Sequence, residues 1–410
     1  MSGQTFIIVG ASLAGAKAAE ELRGRGFDGH VVLIGAEPDR PYERPPLTKD
    51  YLRGESPREK GYVHDANFYT DHEIELLTST TVATLDPGAS RITLADGREL
   101  GFDRLLLTTG AEPRRISVPG ADLAGVHYLR SLADCDQLRD RIDAGGHAVV
   151  VGAGWIGSEF AASARQRGLQ VTVIDPLALP NERIFGPEIG AFYRDVHAQQ
   201  GVELLLGDGV ESFEGDGAVS RVRTAGGRAV DCDFVVVGIG VLPRVELAED
   251  AGLAVDNGVV VDERLQTSVP NVFAAGDIAR ASHPFFGERI RVEHWANALN
   301  QGPAAARAML GEPVSFDRIP YFFSDQYDVG MEYSGYAPHW DKVVFRGNRD
   351  DGEFIAFWLQ DDHVIAGMNV NVWDVNEHVQ ALIRSGQAVD VAALTDSDTP
   401  LESLAGQPAT

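Results

Sequence analysis

The chain alternates short apolar, mostly β-branched runs with stretches of small residues at helical spacing. Residues 6–9 form the first run, which ends in Gly10. A helix carrying Ala14, Ala16, Ala18 and Ala19 on neighbouring turns opens at residues 12–15 and extends to about Arg23. A second apolar run, residues 31–34, leads to Glu37. Strand, glycine turn, helix, strand, acid is the order that lays a dinucleotide pyrophosphate on a helix N-terminus and offers an acceptor to the adenosine ribose. Gly10 permits the tight turn, and Gly15 lets helix and strand approach closely. The middle glycine of the fingerprint is replaced by Ser12, whose methylene narrows the space while its hydroxyl can donate to the pyrophosphate. A G-x-S-x-x-G alone fits an ordinary turn equally well; the flanking elements point to a nucleotide.

The pattern returns 142 positions on. Residues 148–151 are apolar, Gly152, Gly154 and Gly157 complete a G-x-G-x-x-G, a helix is predicted over residues 158–167, Gly168 stops it, and residues 171–174 lead to Asp175. Two such units imply two dinucleotides and an α/β fold with two Rossmann-like domains. Asp175 can accept from a free ribose hydroxyl but repels a 2′-phosphate. Residues 176–180 carry no cation, and the first one downstream is Arg183. That combination favours NADH over NADPH.

Between and after these units the pattern turns to strands. Residues 50–72 are polar and helix-prone, a short strand is predicted near residues 76–82, and residues 91–100 read as a hairpin around Asp96-Gly97. Residues 105–108 are a buried strand ending at Thr109-Gly110, and residues 219–237 alternate around Gly226-Gly227 before Gly238 and Gly240. The strand at 272–274 runs into Ala275, Gly276 and Asp277, where the aspartate suits a ribityl hydroxyl or a helix N-cap equally well. From Tyr321 onward aromatic residues crowd a β-rich stretch with hairpin turns near 349–352 and 360–363, a third and smaller α+β domain. The end, from about Asp390, is polar with Pro, Gly and Thr and reads as a loose terminus.

Composition narrows the function. A chain of 410 residues with 44% apolar content has room for two or three ordinary cores. No apolar run approaches the length of a spanning helix and the N-terminus lacks a signal-peptide pattern, so a cytoplasmic protein is expected. The net charge of −26 argues against nucleic acid and anionic membranes as partners. Cys135 and Cys232 stand far apart and neither lies in a C-x-x-C, which excludes a local redox dithiol and a thiolate metal site.

Taken together, residues 10–15 (with Leu13 and Ala14), the R-P-P-L-T-K run of residues 44–49, Thr108-Thr109-Gly110, residues 152–159 (with Trp155, Ile156 and Glu159) and Ala275-Gly276-Asp277 resemble the FAD-dependent pyridine-nucleotide oxidoreductases of glutathione-reductase-like fold. More narrowly, the chain is similar over nearly its whole length to bacterial ferredoxin reductases of the putidaredoxin reductase and biphenyl dioxygenase reductase type. The resemblance implies a FAD domain split over residues 1–112 and 245–320, a NAD domain at 113–244, and a C-terminal domain at 321–410 covering the flavin. It implies that Glu37 holds the FAD ribose and that Arg44, Pro45 and Lys49 lie along the pyrophosphate and flavin. Val82 and Arg130 would lie near the adenine half, Asp277 at the ribityl chain and Trp295 at the pyrimidine end. Lys49 and Glu159 are similar to a pair that stands beside the flavin N5, where each would stabilise the other's charge and orient ring and nicotinamide. The family often shows Trp-x-Trp where this chain has Tyr321-Phe322-Phe323, which keeps an aromatic wall but removes any route through a particular tryptophan.

The implied chemistry is hydride transfer from NADH to FAD, followed by single-electron delivery to a [2Fe–2S] ferredoxin that serves a cytochrome P450 or a ring-hydroxylating dioxygenase. Docking of an acidic carrier on an acidic protein requires a local basic patch, for which Arg58, Lys60, Arg307, Lys342 and Arg346 are candidates. Alternatives are rubredoxin or monodehydroascorbate as acceptor, and an NADH-sensing flavoprotein like apoptosis-inducing factor.

Overall fold

The computed structural model describes residues 3–406. The chain packs as two compact units, the first made of the chain through Arg44 with Pro57–Glu112 and Val241–Pro320, the second of Pro45–Ser56, Pro113–Gly240 and the chain from Tyr321 onward. No helix among the described residues is long and apolar enough to cross a membrane.

In the first unit five parallel strands lie in the order Val272–Ala274, Arg104–Leu107, Thr5–Val9, His30–Ile34, Ile74–Leu77. Their apolar runs are continuous rather than alternating because both faces are covered, and Ile7, Ile8, Val31, Leu33, Leu105 and Leu106 are fully buried. The Leu13–Gly24 helix packs against the Trp295–Met309 helix so closely that a Cβ on Gly302 would stand 2.3 Å from the Ala14 carbonyl oxygen. The hairpin expected around Asp96-Gly97 is present as Arg91–Leu94 paired with Glu99–Gly101, with Gly97 at φ +88°.

The second unit repeats the parallel design. Its strands lie in the order Glu203–Leu206, Gln170–Asp175, His147–Val151, Phe234–Val237, Val126–His127. In both units the strand feeding the glycine turn has partners on both sides, the geometry of a topological switch point, where ligands of open α/β sheets bind.

The aromatic stretch forms a five-stranded antiparallel sheet, Tyr321–Gln326, Val329–Gly335, His363–Val370, Glu353–Gln360 and Lys342–Asn348 in spatial order. It does not pack as a unit of its own. Phe185, Ile189 and Tyr193 share one buried cluster with Phe322, Met331, Tyr333, Phe354 and Trp358, so the core of this sheet is completed by helices from the central segment. Residues 45–56 likewise leave the first unit: the Ser163 hydroxyl donates to the Thr48 carbonyl (2.6 Å), Tyr51 to Asp136 (2.6 Å) and the Cys135 thiol to the Leu47 carbonyl (3.4 Å). The R-P-P-L-T-K run is therefore divided between the two units after Arg44.

The tail differs from the loose terminus expected. Asp390 caps the Val391–Thr395 helix by accepting from Ala392 N at 2.9 Å, Arg346 donates to the carbonyls of Leu394, Ser397 and Thr399, and Leu394, Leu401 and Leu404 are buried. Three leucines spaced through a polar stretch suffice to dock it, though they make no periodic signal. Residues 407–410 lie outside the described part.

Candidate active site

The first glycine turn is built as expected. Gly10 has φ +121°, and a Cβ there would lie 2.1 Å from the Thr108 carbonyl oxygen; on Gly15 it would lie 2.1 Å from the Gly10 carbonyl oxygen. Thr108 fixes the turn by donating to the Gly10 carbonyl at 2.8 Å. Ser12 occupies the N-cap of the Leu13–Gly24 helix without a side-chain capping bond, and the first turn contains no acid. That end, with Leu13 and Ala14 buried behind it, keeps its field for an anion. Glu37 is held by the Tyr42 hydroxyl and by Arg44 Nη2 at 3.2 Å. Arg44 also faces the charge of Asp277. The same unit holds Thr109, which donates to the Arg244 carbonyl at 2.8 Å, and Gly110 at φ +70°.

The second turn repeats the geometry. Gly152 has φ +104°, and a Cβ on Gly157 would stand 2.0 Å from the Gly152 carbonyl oxygen, whereas at Gly154 the nearest atom would be 3.9 Å away. Gly154 is thus not demanded by packing within the chain; its open side suits the close approach of a pyrophosphate. The Trp155–Gln166 helix begins there, again without a side-chain cap or a first-turn acid. Asp175 is nearly buried and accepts from Ala153 N at 2.6 Å and Leu177 N at 2.7 Å. Asn181 N donates to the Ala153 carbonyl at 3.1 Å, so the loop after Asp175 folds back on the turn. Arg183 is exposed on the short helix Glu182–Phe185, Ile156 is 41% exposed, and Gly240 is exposed at φ +98°. Trp155 lies edge-on to Phe185, Tyr193 and Phe322 at 5.3–5.5 Å.

Lys49 and Glu159 come together although 110 positions separate them. Lys49 Nζ is 2.8 Å from Glu159 Oε1, with side chains 12% and 7% exposed. The carboxylate also accepts from the Ser324 hydroxyl at 2.7 Å on Oε1 and from the Thr48 hydroxyl on Oε2. Lys49 Nζ lies 5.4 Å from the centre of the Phe323 ring, so a phenylalanine supplies the aromatic partner. Burial pushes the Asp325 carboxyl above its usual range, opposed by Lys49 and reinforced by Glu159. Lys49 and Glu159 thus share one desolvated spot, with the more exposed Asp325 near enough to feel both charges, a setting that tunes proton and hydride chemistry.

Asp277 is not an N-cap: it lies inside the short Gly276–Ile278 turn, whose N-cap is Ala275, and Gly276 N donates to Gln301 Oε1 at 2.8 Å. Trp295 opens the Trp295–Met309 helix with its indole toward the Glu43 carboxyl, which burial pushes upward against the influence of Trp295 and the charge of Lys17. Val82 starts a strand in the first unit, and Arg130, half-buried in the second, gives its N–H to Asp134 at 3.2 Å. Most of the candidates for a basic patch have partners of their own. Arg58 pairs with Asp39 (2.7 Å), Lys342 with Asp362 (2.7 Å) and Arg307 faces Glu21 (3.9 Å), while Arg346 serves the tail carbonyls and Lys60 is exposed.

Sequence reasoning gave no role to Thr48, although the R-P-P-L-T-K run contains it, nor to Ser324, whose Ser324-Asp325-Gln326 stretch is part of the resemblance; Tyr42, Glu43, Gln301, His294 and His197 are common residues with no local pattern. Cys232, which burial and then Asp233 and Asp231 push up to about 12, cannot offer a thiolate. His197 is buried and His294 partly so, and both are held neutral. Burial pulls His197 down to about 4 against its bond with Gln326, and His294 to about 4 against Asp277. The unfolded chain, whose histidines titrate at an ordinary value, binds more protons between that value and about 4. The stability each contributes is complete above pH 6.5 and is lost as pH falls, on the order of 2 kcal/mol each by pH 5. Unfolding midpoints by circular dichroism are expected to be lower at pH 5 than at pH 7; equal midpoints would show that these histidines titrate normally.

Among known proteins, the pyridine nucleotide-disulphide oxidoreductase family model matches residues 4–302 and the reductase C-terminal model residues 321–405. The chain belongs to the pyridine nucleotide-disulphide oxidoreductases. It is 38% identical to the rhodocoxin reductase of Rhodococcus erythropolis, covering 90% of this chain and 86% of that one. It is 37% identical to the ferredoxin–NAD(+) reductase component of the anthranilate 1,2-dioxygenase system of Burkholderia cepacia, covering 98% and 100%. The solved covalent complex of putidaredoxin reductase with putidaredoxin matches at a TM-score of 0.95 and 35% identity, with 98% of each chain covered.

Proposed function

We propose that this protein is an NADH-dependent FAD flavoprotein that passes electrons singly to a [2Fe–2S] ferredoxin, which feeds a cytochrome P450 or a ring-hydroxylating dioxygenase. FAD, when bound, accepts a hydride and releases electrons one at a time. The names of the relatives support the partner, and the two glycine turns with uncapped helix starts suit two dinucleotides. In this reading the FAD pyrophosphate lies on the turn of Gly10, Ser12 and Gly15, and Glu37 takes the adenosine ribose. Arg44, Asp277 and Trp295 serve the rest of the cofactor. Gly152, Gly154, Gly157 and Asp175 hold NADH, and Lys49 with Glu159 orients the nicotinamide toward the flavin. The functional division is a FAD domain at 1–112 and 245–320, a NAD domain at 113–244 and a covering domain at 321–410, and the site of action is the cytoplasm, where NADH is regenerated.

One observation carries the need for an external acceptor. Within a family named for disulphide chemistry, both cysteines of this chain are buried and unbonded to each other, so electrons have no internal disulfide to reduce and must leave on an external carrier. With FAD-loaded protein and NADH, a [2Fe–2S] ferredoxin should be reduced at least about tenfold faster than rubredoxin or the monodehydroascorbate radical at equal concentration. Faster turnover with either rival would reassign the acceptor. Slow turnover with all three, together with a long-lived reduced protein, would favour a sensor.

A further inference from the structure

A buried line of polar side chains starts at Glu159 and leaves the site. Ser324 Oγ is 2.7 Å from Glu159 Oε1, Gln326 Nε2 is 3.2 Å from Ser324 Oγ, His197 Nε2 is 2.9 Å from Gln326 Oε1, and the Tyr327 hydroxyl is 3.2 Å from His197 Nδ1. Ser324, Gln326 and His197 are each 1% exposed. Three separate elements supply the members: the Trp155–Gln166 helix, the Pro187–Gln199 helix and the start of the C-terminal sheet.

The hydrogens on this line are not independent. Glu159, with Lys49 and Thr48 donating to it, is an acceptor only, so the Ser324 hydrogen points at it. The Ser324 oxygen must then receive a hydrogen from the Gln326 amide nitrogen, which turns the amide oxygen to His197. His197 consequently carries its proton on Nε2 and leaves Nδ1 bare to accept from Tyr327. The opposite polarity, with amide, imidazole and both hydroxyls reversed, also satisfies every group except the carboxylate. A charge-assisted bond is about twice as strong as a neutral one, so the anion selects the first arrangement.

We propose that His197, Gln326 and Ser324 form a one-way hydrogen-bond chain that holds the Glu159 carboxylate in place, making His197 and Gln326 positioning residues for the hydride step. The proposal rests on the role given above to Glu159. Its members are neutral; Gln326 cannot relay a proton without becoming an imidic acid, so the chain orients and does not conduct. Burial of His197 holds it neutral, which keeps Nδ1 free of a second hydrogen that would break the order.

Two measurements test this. Imidazole nitrogen shifts in 15N NMR should show His197 as the Nε2–H tautomer in the protein as it stands and should lose that bias in Glu159→Ala, although the two residues do not touch. An unchanged tautomer in Glu159→Ala, or an Nδ1–H tautomer at the outset, overturns the chain. In FAD-loaded protein, Gln326→Met, of similar volume, should lower the limiting rate of flavin reduction by NADH about tenfold while leaving the half-saturating NADH concentration unchanged. Gln326→Glu, which keeps the acceptor toward His197 but draws the Ser324 hydrogen away from Glu159, should fall at least as far. A purely packing role predicts wild-type rates in any Gln326 variant that folds, and that result would overturn the proposal. If instead the unmodified protein is not reduced by NADH at all, the functional reading fails, and the tautomer experiment still decides the chain.

Discussion

Glu159→Ala is expected to slow reduction of bound FAD by NADH about a hundredfold while leaving FAD in place. Three donors, Lys49 Nζ, the Ser324 hydroxyl and the Thr48 hydroxyl, converge on this carboxylate. Removing it leaves a lysine that is 12% exposed without its anion and two hydroxyls that must find other acceptors. A buried pair broken on one side costs about 3 kcal/mol, so a lower unfolding midpoint should accompany the kinetic loss. Asp325 softens the loss, because its carboxyl already feels Lys49. Glu159→Gln keeps the shape and one acceptor, and should fall between the wild type and the alanine variant. FAD should stay bound because the Gly10–Gly15 turn, Glu37 and Arg44 belong to the other unit. Stopped-flow bleaching of the flavin at saturating NADH reads this directly; wild-type rates in Glu159→Ala would remove the residue from the reaction.

The second large effect is expected at Asp175. Its two carboxylate oxygens accept from Ala153 N and Leu177 N, and it is 9% exposed. The residue braces the glycine turn, and in the proposed reading its remaining lone pairs accept from the ribose. Asp175→Ala leaves the buried Ala153 N–H unsatisfied, a cost of about 1–3 kcal/mol, and should raise the half-saturating NADH concentration some 10- to 100-fold by loosening the turn. Loss of the anion also removes the repulsion felt by a 2′-phosphate, so the gap between NADH and NADPH should narrow. A rise equal for both nucleotides, with the gap intact, would leave Asp175 as a brace alone and move nucleotide choice elsewhere. Asp175→Asn, which can accept from only one of the two N–H groups, should loosen the turn less than alanine.

Both glycine turns, the strands that feed them and the acids that follow were legible along the chain because each is a local event. A tight turn needs a residue that tolerates positive φ, a parallel strand buried on both faces needs an unbroken apolar run, and a few dozen residues contain the whole signal. Asp277 was harder to read, since an acid after a strand suits a cap or a ligand equally, and only the backbone of the Gly276–Ile278 turn removes the cap. What stayed hidden depends on residues far apart in the chain. Ser324 meets Glu159 across 165 positions and Gln326 meets His197 across 129, and serine, glutamine and histidine carry no periodicity that would mark them. The division into two units was hidden for the same reason: the aromatic sheet shares its buried cluster with Phe185, Ile189 and Tyr193. Short-range rules settle which backbone shapes a segment can take, whereas the environment of a buried charge is set by whichever distant side chains the packed core brings against it, and that information is spread over the whole chain.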